Sequence, residues 1–231
     1  MELMKERIDL LRNNLKSAAE AGGYPVPAII AVSKTVEPER INPVFSLGLT
    51  HLGENRVQEI VRKLPELDAR FKIDLIGQLQ INKVNRIIDK VACIQSLDRM
   101  ELAQEIDRRA QQHGLRMPVL IEVNIGGEAQ KSGIDPEMTL TFARYAASLP
   151  GLQVRGLMTV LPDFEDKEDC RPLMRRMRSL FEQLQAEAIQ GTLIDQLSMG
   201  MSGDYMQAAR EGSTHVRIGS AIFGARAAVQ Q

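Results

Sequence analysis

Eight short runs of β-forming residues recur along this chain, at 28–33, 51–54, 73–76, 92–97, 119–124, 154–158, 194–198 and 215–219. Helical stretches lie between them, among them 38–47, 99–113, 136–149, 172–189 and 204–211. Strands that alternate with helices pair in parallel, because a parallel crossover needs a connection of that length. Eight such units in 231 residues predict an α/β fold, a closed (β/α)8 barrel of the TIM type; the rival is an open doubly wound sheet. An extra N-terminal helix precedes them. Met4, Ile8, Leu11 and Leu15 form one apolar stripe, and Gly22-Gly23 with Pro25 ends it. A last helical piece follows Ser220. No linker, repeat or low-complexity tract divides the chain, so residues 1–231 are expected to form a single domain.

Composition removes several function classes. The net charge of -1 gives no electrostatic footprint for nucleic acid or an anionic membrane surface. No apolar run approaches the roughly 20 residues of a membrane span, and the N-terminus carries no apolar signal region, so a cytoplasmic location is expected. The densest basic stretch, around Arg175, Arg176 and Arg178, alternates with Leu173, Met174 and Met177 and reads as a solvated helix face. Cys93 and Cys170 have no CxxC partner; Cys93, within Val91-Ala92-Cys93-Ile94, reads as a buried structural thiol. His51, His113 and His215 show no metal-ligand spacing.

In such barrels functional groups sit at the carboxyl ends of the strands, with phosphate often bound after strands 7 and 8. Lys34 ends the first strand in Ala31-Val32-Ser33-Lys34-Thr35. Taken alone, a lysine there is a solvated loop cation. Partly desolvated in the barrel mouth, its amine becomes a nucleophile that condenses with a carbonyl. Strand 7 ends in Leu197-Ser198-Met199-Gly200-Met201-Ser202, with Ser202 placed to cap the next helix. Strand 8 ends in Val216-Arg217-Ile218-Gly219-Ser220, where the small glycine admits a close approach of backbone amides. Barrel closure makes strand 8 a neighbour of strand 1. A phosphate after strands 7 and 8 then lies near Lys34 with Arg217 between, a layout that suits an aldehyde-bearing aromatic phosphate.

Five segments carry a family resemblance: Ala-Val-Ser-Lys-Thr at 31–35, Gly-Glu-Asn at 53–55, Lys-Ser-Gly-Ile at 131–134, Leu-Ser-Met-Gly-Met-Ser at 197–202, and Val-Arg-Ile-Gly-Ser-Ala-Ile-Phe-Gly at 216–224. Together they resemble the pyridoxal phosphate homeostasis proteins, in order, from about residue 1 to Arg226. The resemblance implies a barrel like the N-terminal domain of bacterial alanine racemase, with pyridoxal 5'-phosphate (PLP) held covalently as a Schiff base on Lys34. It further implies a phosphate cradle of Ser202, Gly219 and Ser220 with Ser198 beside it, Arg217 facing the pyridine nitrogen, and Asn55 and Met158 as pocket neighbours. Three positions depart from the pattern. Val36 stands where many members carry a second lysine, Ile73-Asp74-Leu75-Ile76-Gly77-Gln78 replaces a Trp-His-Phe-Ile-Gly-Pro type of segment, and His215 occupies a position often apolar.

Three functions compete at this point. The first is a PLP carrier or regulator in PLP homeostasis, expected to be monomeric, with apo PLP-dependent enzymes as recipients. The second is a PLP-dependent amino-acid racemase, and the third a PLP-free Schiff-base aldolase on a phosphosugar. Racemisation needs a base on each face of the substrate Cα, and resembling racemases supply one from an additional domain. Here the sequence stops at Gln231, shortly after that last motif, so no such domain is expected. Of the tyrosines, only Tyr205 is expected to approach the mouth. Glu122 and Asn124 share one side of strand 5 and line either the mouth or a buried polar layer; Lys131 is either a mobile secondary acceptor or a solvated loop lysine.

Overall fold

The computed structural model describes residues 1–128 and 130–224. Helix α1 (Glu2–Gly22) comes first and buries Ile8, Leu11, Leu15, Ala18 and Ala19 along one face. Gly23 ends it in the left-handed region at φ 75°, with its N–H donating back to Ala19 and Glu20 carbonyls. The chain then runs through β1 (Ala28–Val32), the short helices α2 (Pro38–Ile41) and α3 (Pro43–Ser46), β2 (His51–Glu54), α4 (Val57–Lys63) and β3 (Lys72–Leu75). Next come β4 (Cys93–Leu97), α5 (Met100–Gln112), β5 (Met117–Glu122), α6 (Thr139–Ala147) and β6 (Leu152–Met158). Last are α7 (Arg171–Ala186), β7 (Gln196–Met201), α8 (Tyr205–Arg210), β8 (His215–Ile218) and α9 (Ser220–Phe223).

The eight strands form a closed barrel in sequence order, and β1 pairs in parallel with β8 through Ala28↔His215 and Ala31↔Ile218. The expected (β/α)8 barrel with a leading helix is therefore the fold observed. The main apolar core lies between the strands and the surrounding helices and includes Leu52, Leu75, Ile94, Ile121, Leu157 and Leu197. Alternate residues along the strands face the barrel interior. There Cys93, Leu120 and Met158 form a separate apolar cluster, and the buried polar groups Asp74, Gln95, Ser198 and Arg217 fill the space beside it. No helix among the described residues is long and apolar enough to cross a membrane.

Local departures from the sequence reading have local causes. Residues 38–47 form two helices rather than one, because Pro43 lacks the N–H that would continue the ladder. The third unit has a 3₁₀ stretch, Ile81–Arg86, in place of an α-helix, with Val84, Ile87 and Ile88 buried behind it. Strand β7 ends at Met201 rather than at 198. Its register against β8 shifts between Ser198 and Met201, and Gly200, at φ 93°, takes up the bend. A Cβ there would lie 2.4 Å from Ala208 Cβ, so glycine is also needed for α8 to close over the strand. The resemblance extends to Arg226, and its last two residues, like Ala129, lie outside the described residues.

Gly156 in β6 combines both demands. It sits at φ 145°, and a Cβ would meet the Gln196 carbonyl oxygen of β7 at 1.9 Å. Gly114, at φ 64° after α5, has nothing within 4 Å of such a Cβ. Gly156→Ala should therefore cost at least about 3 kcal/mol, against about 1 kcal/mol for Gly114→Ala. Urea unfolding of the two variants measures the contrast, and equal losses would mean that strand contact at Gly156 is not limiting.

Candidate functional site

A cavity of about 330 Å³ opens at the carboxyl ends of β1, β2, β3, β6, β7 and β8. Its polar wall holds Lys34, Asn55, Ser202, Arg217, Gly219 and Ser220, and its apolar wall Val32, Ile76, Val160 and Met201. Six of the eight site residues expected from sequence therefore share one cavity. The other two, Met158 and Ser198, are fully buried in the barrel interior.

The turn that carries Lys34 is clamped on both sides. Lys63 on α4 is completely buried, and its Nζ donates to Ser33 O, Glu54 Oε1 and Glu59 Oε2, each at 2.8 Å. Ser33 Oγ donates to the same Glu54 oxygen at 2.7 Å, and Thr35 N donates to Glu59 Oε2 at 2.7 Å. These bonds hold Thr35 in the left-handed region at φ 62°, unusual for a β-branched residue. Burial pushes the Glu54 carboxyl above its ordinary range against the opposing bonds from Lys63 and Ser33. In Glu59 burial also raises the pKa, but the bonds from Lys63 and from the Thr35 amide outweigh it and the net direction is down. Sequence reasoning missed Lys63. Its signal was a lysine in register with Val57 and Ile60, the buried stripe of α4, four residues after a glutamate.

Arg217 is 3% exposed, and burial lowers its pKa to about 10, while Asp204 and Glu122 oppose the shift. It remains cationic at neutral pH. Its Nη1 donates to Ser198 Oγ at 2.7 Å and its Nη2 to the Thr159 carbonyl at 2.7 Å. Ser198 thus meets Arg217 rather than the cavity wall, with its hydroxyl 2.7 Å from Gln95 Oε1. Ser202 caps no helix: the residue before α8 is Asp204, and Ser202 Oγ accepts from Gly219 N at 3.2 Å, tying the β7 rim to the β8 rim. Asn55 Oδ1 is buried without a hydrogen-bond donor among the described residues, an acceptor left for a ligand. Gly77 seats that asparagine closely, since a Cβ there would fall 2.3 Å from Asn55 O.

Other expected residues lie elsewhere. Tyr205 does not reach the mouth; its hydroxyl accepts from Asn14 Nδ2 of α1 at 2.9 Å, on the outside of the barrel. Lys131 Nζ donates to Leu161 O at 3.0 Å and pairs with Glu128 at 2.6 Å, so it is held in its loop. Cys93 is buried, and burial pushes its thiol well above the ordinary range, as expected of a structural thiol. Among the described residues no group of three His, Cys, Asp or Glu is placed to hold a metal ion.

Glu122 ends β5 nearly buried, and its pKa rises to about 7 through burial and the nearby Asp98, with Arg217 opposing. A raised carboxyl pKa means that ionisation costs the native state as pH climbs from about 4.5 to about 7. Glu122→Gln should abolish that loss. The variant should be more stable than the parent by about 1–3 kcal/mol at pH 8, with the difference vanishing near pH 4.5. Chemical denaturation at both pH values checks it; a difference that does not change with pH would show that Glu122 is not desolvated.

Comparison with known proteins gives the family and the fold. The family model described as alanine racemase, N-terminal domain, matches residues 7–227. The pyridoxal phosphate homeostasis protein of Aquifex aeolicus (strain VF5) is 42% identical over 96% of this chain and 97% of its own. That of Pasteurella multocida (strain Pm70) is 38% identical over 96% and 97%. The structure of PipY from Synechococcus elongatus PCC7942 with PLP bound superposes with a TM-score of 0.84, at 31% identity, over 96% of this chain and all of that chain. With a barrel, a rim lysine and near full-length likeness in hand, the chain belongs to the pyridoxal phosphate homeostasis protein family, within the larger group that shares the alanine racemase N-terminal domain.

Proposed function

We propose that this chain binds PLP covalently, as a Schiff base on Lys34, and serves cytoplasmic PLP homeostasis as a carrier or regulator without efficient catalysis of its own. The observation that carries the reading is the meeting of Lys34, Arg217 and the Ser202, Gly219 and Ser220 corner in one cavity. Bound PLP supplies an aldehyde that condenses with an amine, with loss of one water, and an electron-withdrawing ring. Lys34 supplies the amine. The Ser202 hydroxyl and the Ser220 amide hold the phosphate by charge-assisted bonds, and the Gly219 amide joins them in exchange for its bond to Ser202 Oγ. Arg217 turns N–H donors toward the ring nitrogen, and because it stays cationic that nitrogen stays unprotonated. The ring is then a weaker electron sink than one paired with a carboxylate, which favours holding over catalysis. Asn55 offers its free acceptor, and Val32, Ile76, Val160 and Met201 keep water from the ring. Ser198 acts by holding Arg217, and Met158 packs beneath. The position of Tyr205 against Asn14 supports the carrier over the racemase, which needs a second base facing the lysine. We further propose that the chain is monomeric and single-domain and that apo PLP-dependent enzymes receive the cofactor.

Borohydride reduction of the PLP-loaded protein, followed by peptide mass analysis, tests this reading. One phosphopyridoxyl group is expected on the peptide that contains Lys34. Lys34→Ala should take up none while keeping its stability within about 1 kcal/mol, since a rim side chain contributes little to the core. A colourless protein that takes up no PLP, or an adduct on a peptide without Lys34, would overturn it.

A further inference from the structure

Five side chains form a continuous hydrogen-bonded thread across the barrel interior. Arg217 of β8 donates to Ser198 Oγ of β7, which lies 2.7 Å from Gln95 Oε1 of β4. Gln95 Nε2 donates to Asp74 Oδ2 of β3 at 2.6 Å, and Asp74 Oδ1 lies 2.7 Å from His51 Nε2 of β2. Arg217, Ser198, Gln95 and Asp74 are at most 3% exposed, whereas the His51 side chain is 24% exposed at the start of its strand. The thread therefore leads from the cavity, which Arg217 lines, toward the amino-terminal end of the barrel.

Its polarity is fixed by what each group can do. A guanidinium only donates, so Ser198 Oγ must accept from it and spend its own hydrogen on Gln95 Oε1. The Gln95 amide then has only its NH₂ to offer Asp74, and a carboxylate only accepts. His51 must in turn present Nε2–H. Reversing any link sets two donors or two acceptors against each other inside the barrel, at the cost of an unsatisfied buried group. The order of donors and acceptors thus runs unbroken from the Arg217 guanidinium to the Asp74 carboxyl.

We propose that Asp74 is a positioning residue for Arg217, acting through Gln95 and Ser198 to set the orientation in which the remaining guanidinium N–H groups meet a heteroaromatic nitrogen in the cavity. The direct hydrogen-bond partners of that guanidinium in the barrel, Ser198 Oγ and the Thr159 carbonyl, are neutral. The Glu122 and Asp204 carboxyls, at the carboxyl ends of β5 and β7, favour the guanidinium's charge but share no hydrogen bond with it among the described residues, and so leave orientation to the thread. This inference rests on reading the cavity as a PLP site, and it gives Asp74, which departs from the family pattern, a role.

The test compares PLP with its deaza analogue, in which a C–H replaces the ring nitrogen, by absorbance titration of the parent protein, Asp74→Asn, Ser198→Ala and Ser198→Thr. Ser198→Ala should weaken PLP binding on the order of tenfold, the loss of about one well-formed buried hydrogen bond, and Asp74→Asn, whose Oδ1 still accepts from Gln95 but without the carboxylate charge, by about threefold. Binding of the deaza analogue should change by less than about twofold, because it offers Arg217 no acceptor. Ser198→Thr, which keeps the hydroxyl, should stay near the parent. If Asp74→Asn does not fold, Ser198→Ala cuts the thread by a single oxygen and carries the comparison. Equal losses for both ligands would mean a merely structural role and overturn the proposal, as would no loss for PLP. A parent protein that binds PLP well while the variants show either pattern leaves the PLP reading standing, whereas a parent that binds neither ligand removes both.

Discussion

The pairing of β8 with β1 is the contact on which the site depends. It sets Ala31 beside Ile218, so the residues just after each strand, Lys34 on one side and Gly219 with Ser220 on the other, come to line a single cavity. These groups lie near opposite ends of the chain, and only a closed sheet brings them together without an edge. Closure is reinforced from outside. Helix α1 packs on α8 so closely that a Cβ at Gly22 would fall 2.1 Å from Arg210 O, and Asn14 bonds Tyr205 across the same contact. The leading helix is thus a buttress for the rim that β7 and β8 build.

Two buried cations then divide the work. Lys63 is surrounded by two carboxylates and a backbone carbonyl, all within 2.8 Å, and has no donor left for a ligand. It is a clamp, and removing one partner of such a cluster costs on the order of 3–5 kcal/mol because a charge is left buried. Arg217 bonds only neutral acceptors and lines the cavity. With a pKa lowered to about 10 it still outnumbers its neutral form at pH 7 by about a thousand to one. One cation holds the turn that carries Lys34; the other keeps donors for what the cavity accepts.

The periodic alternation of strands and helices made the barrel legible in the sequence, because strand number and connection length leave few alternatives. Lys34, Arg217 and the glycine-serine corner were legible because position at strand ends determines who meets at a barrel rim. The rest depended on contacts that no local pattern encodes. Ser198 looks like a rim serine from its motif, yet the bend at Gly200 carries β7 onward past it and leaves its hydroxyl in the interior. Ser202 reads as a helix cap, but the helix starts later and the hydroxyl instead accepts across to Gly219. Tyr205 is one turn from the cradle in sequence and faces α1 in space. Asp74 was visible only as a departure from a family pattern, since its partners come from β2 and β4.

A rim that keeps PLP, as proposed, does not shuttle protons at a substrate carbon. Exchange of the Cα hydrogen of L-alanine in deuterated water, followed by NMR with PLP-loaded protein, tests this most directly. Exchange barely above that of an equal concentration of free PLP is the expected result. Turnover approaching the median enzyme rate, on the order of 10 per second, and lost in Lys34→Ala, would contradict it and make the chain an enzyme.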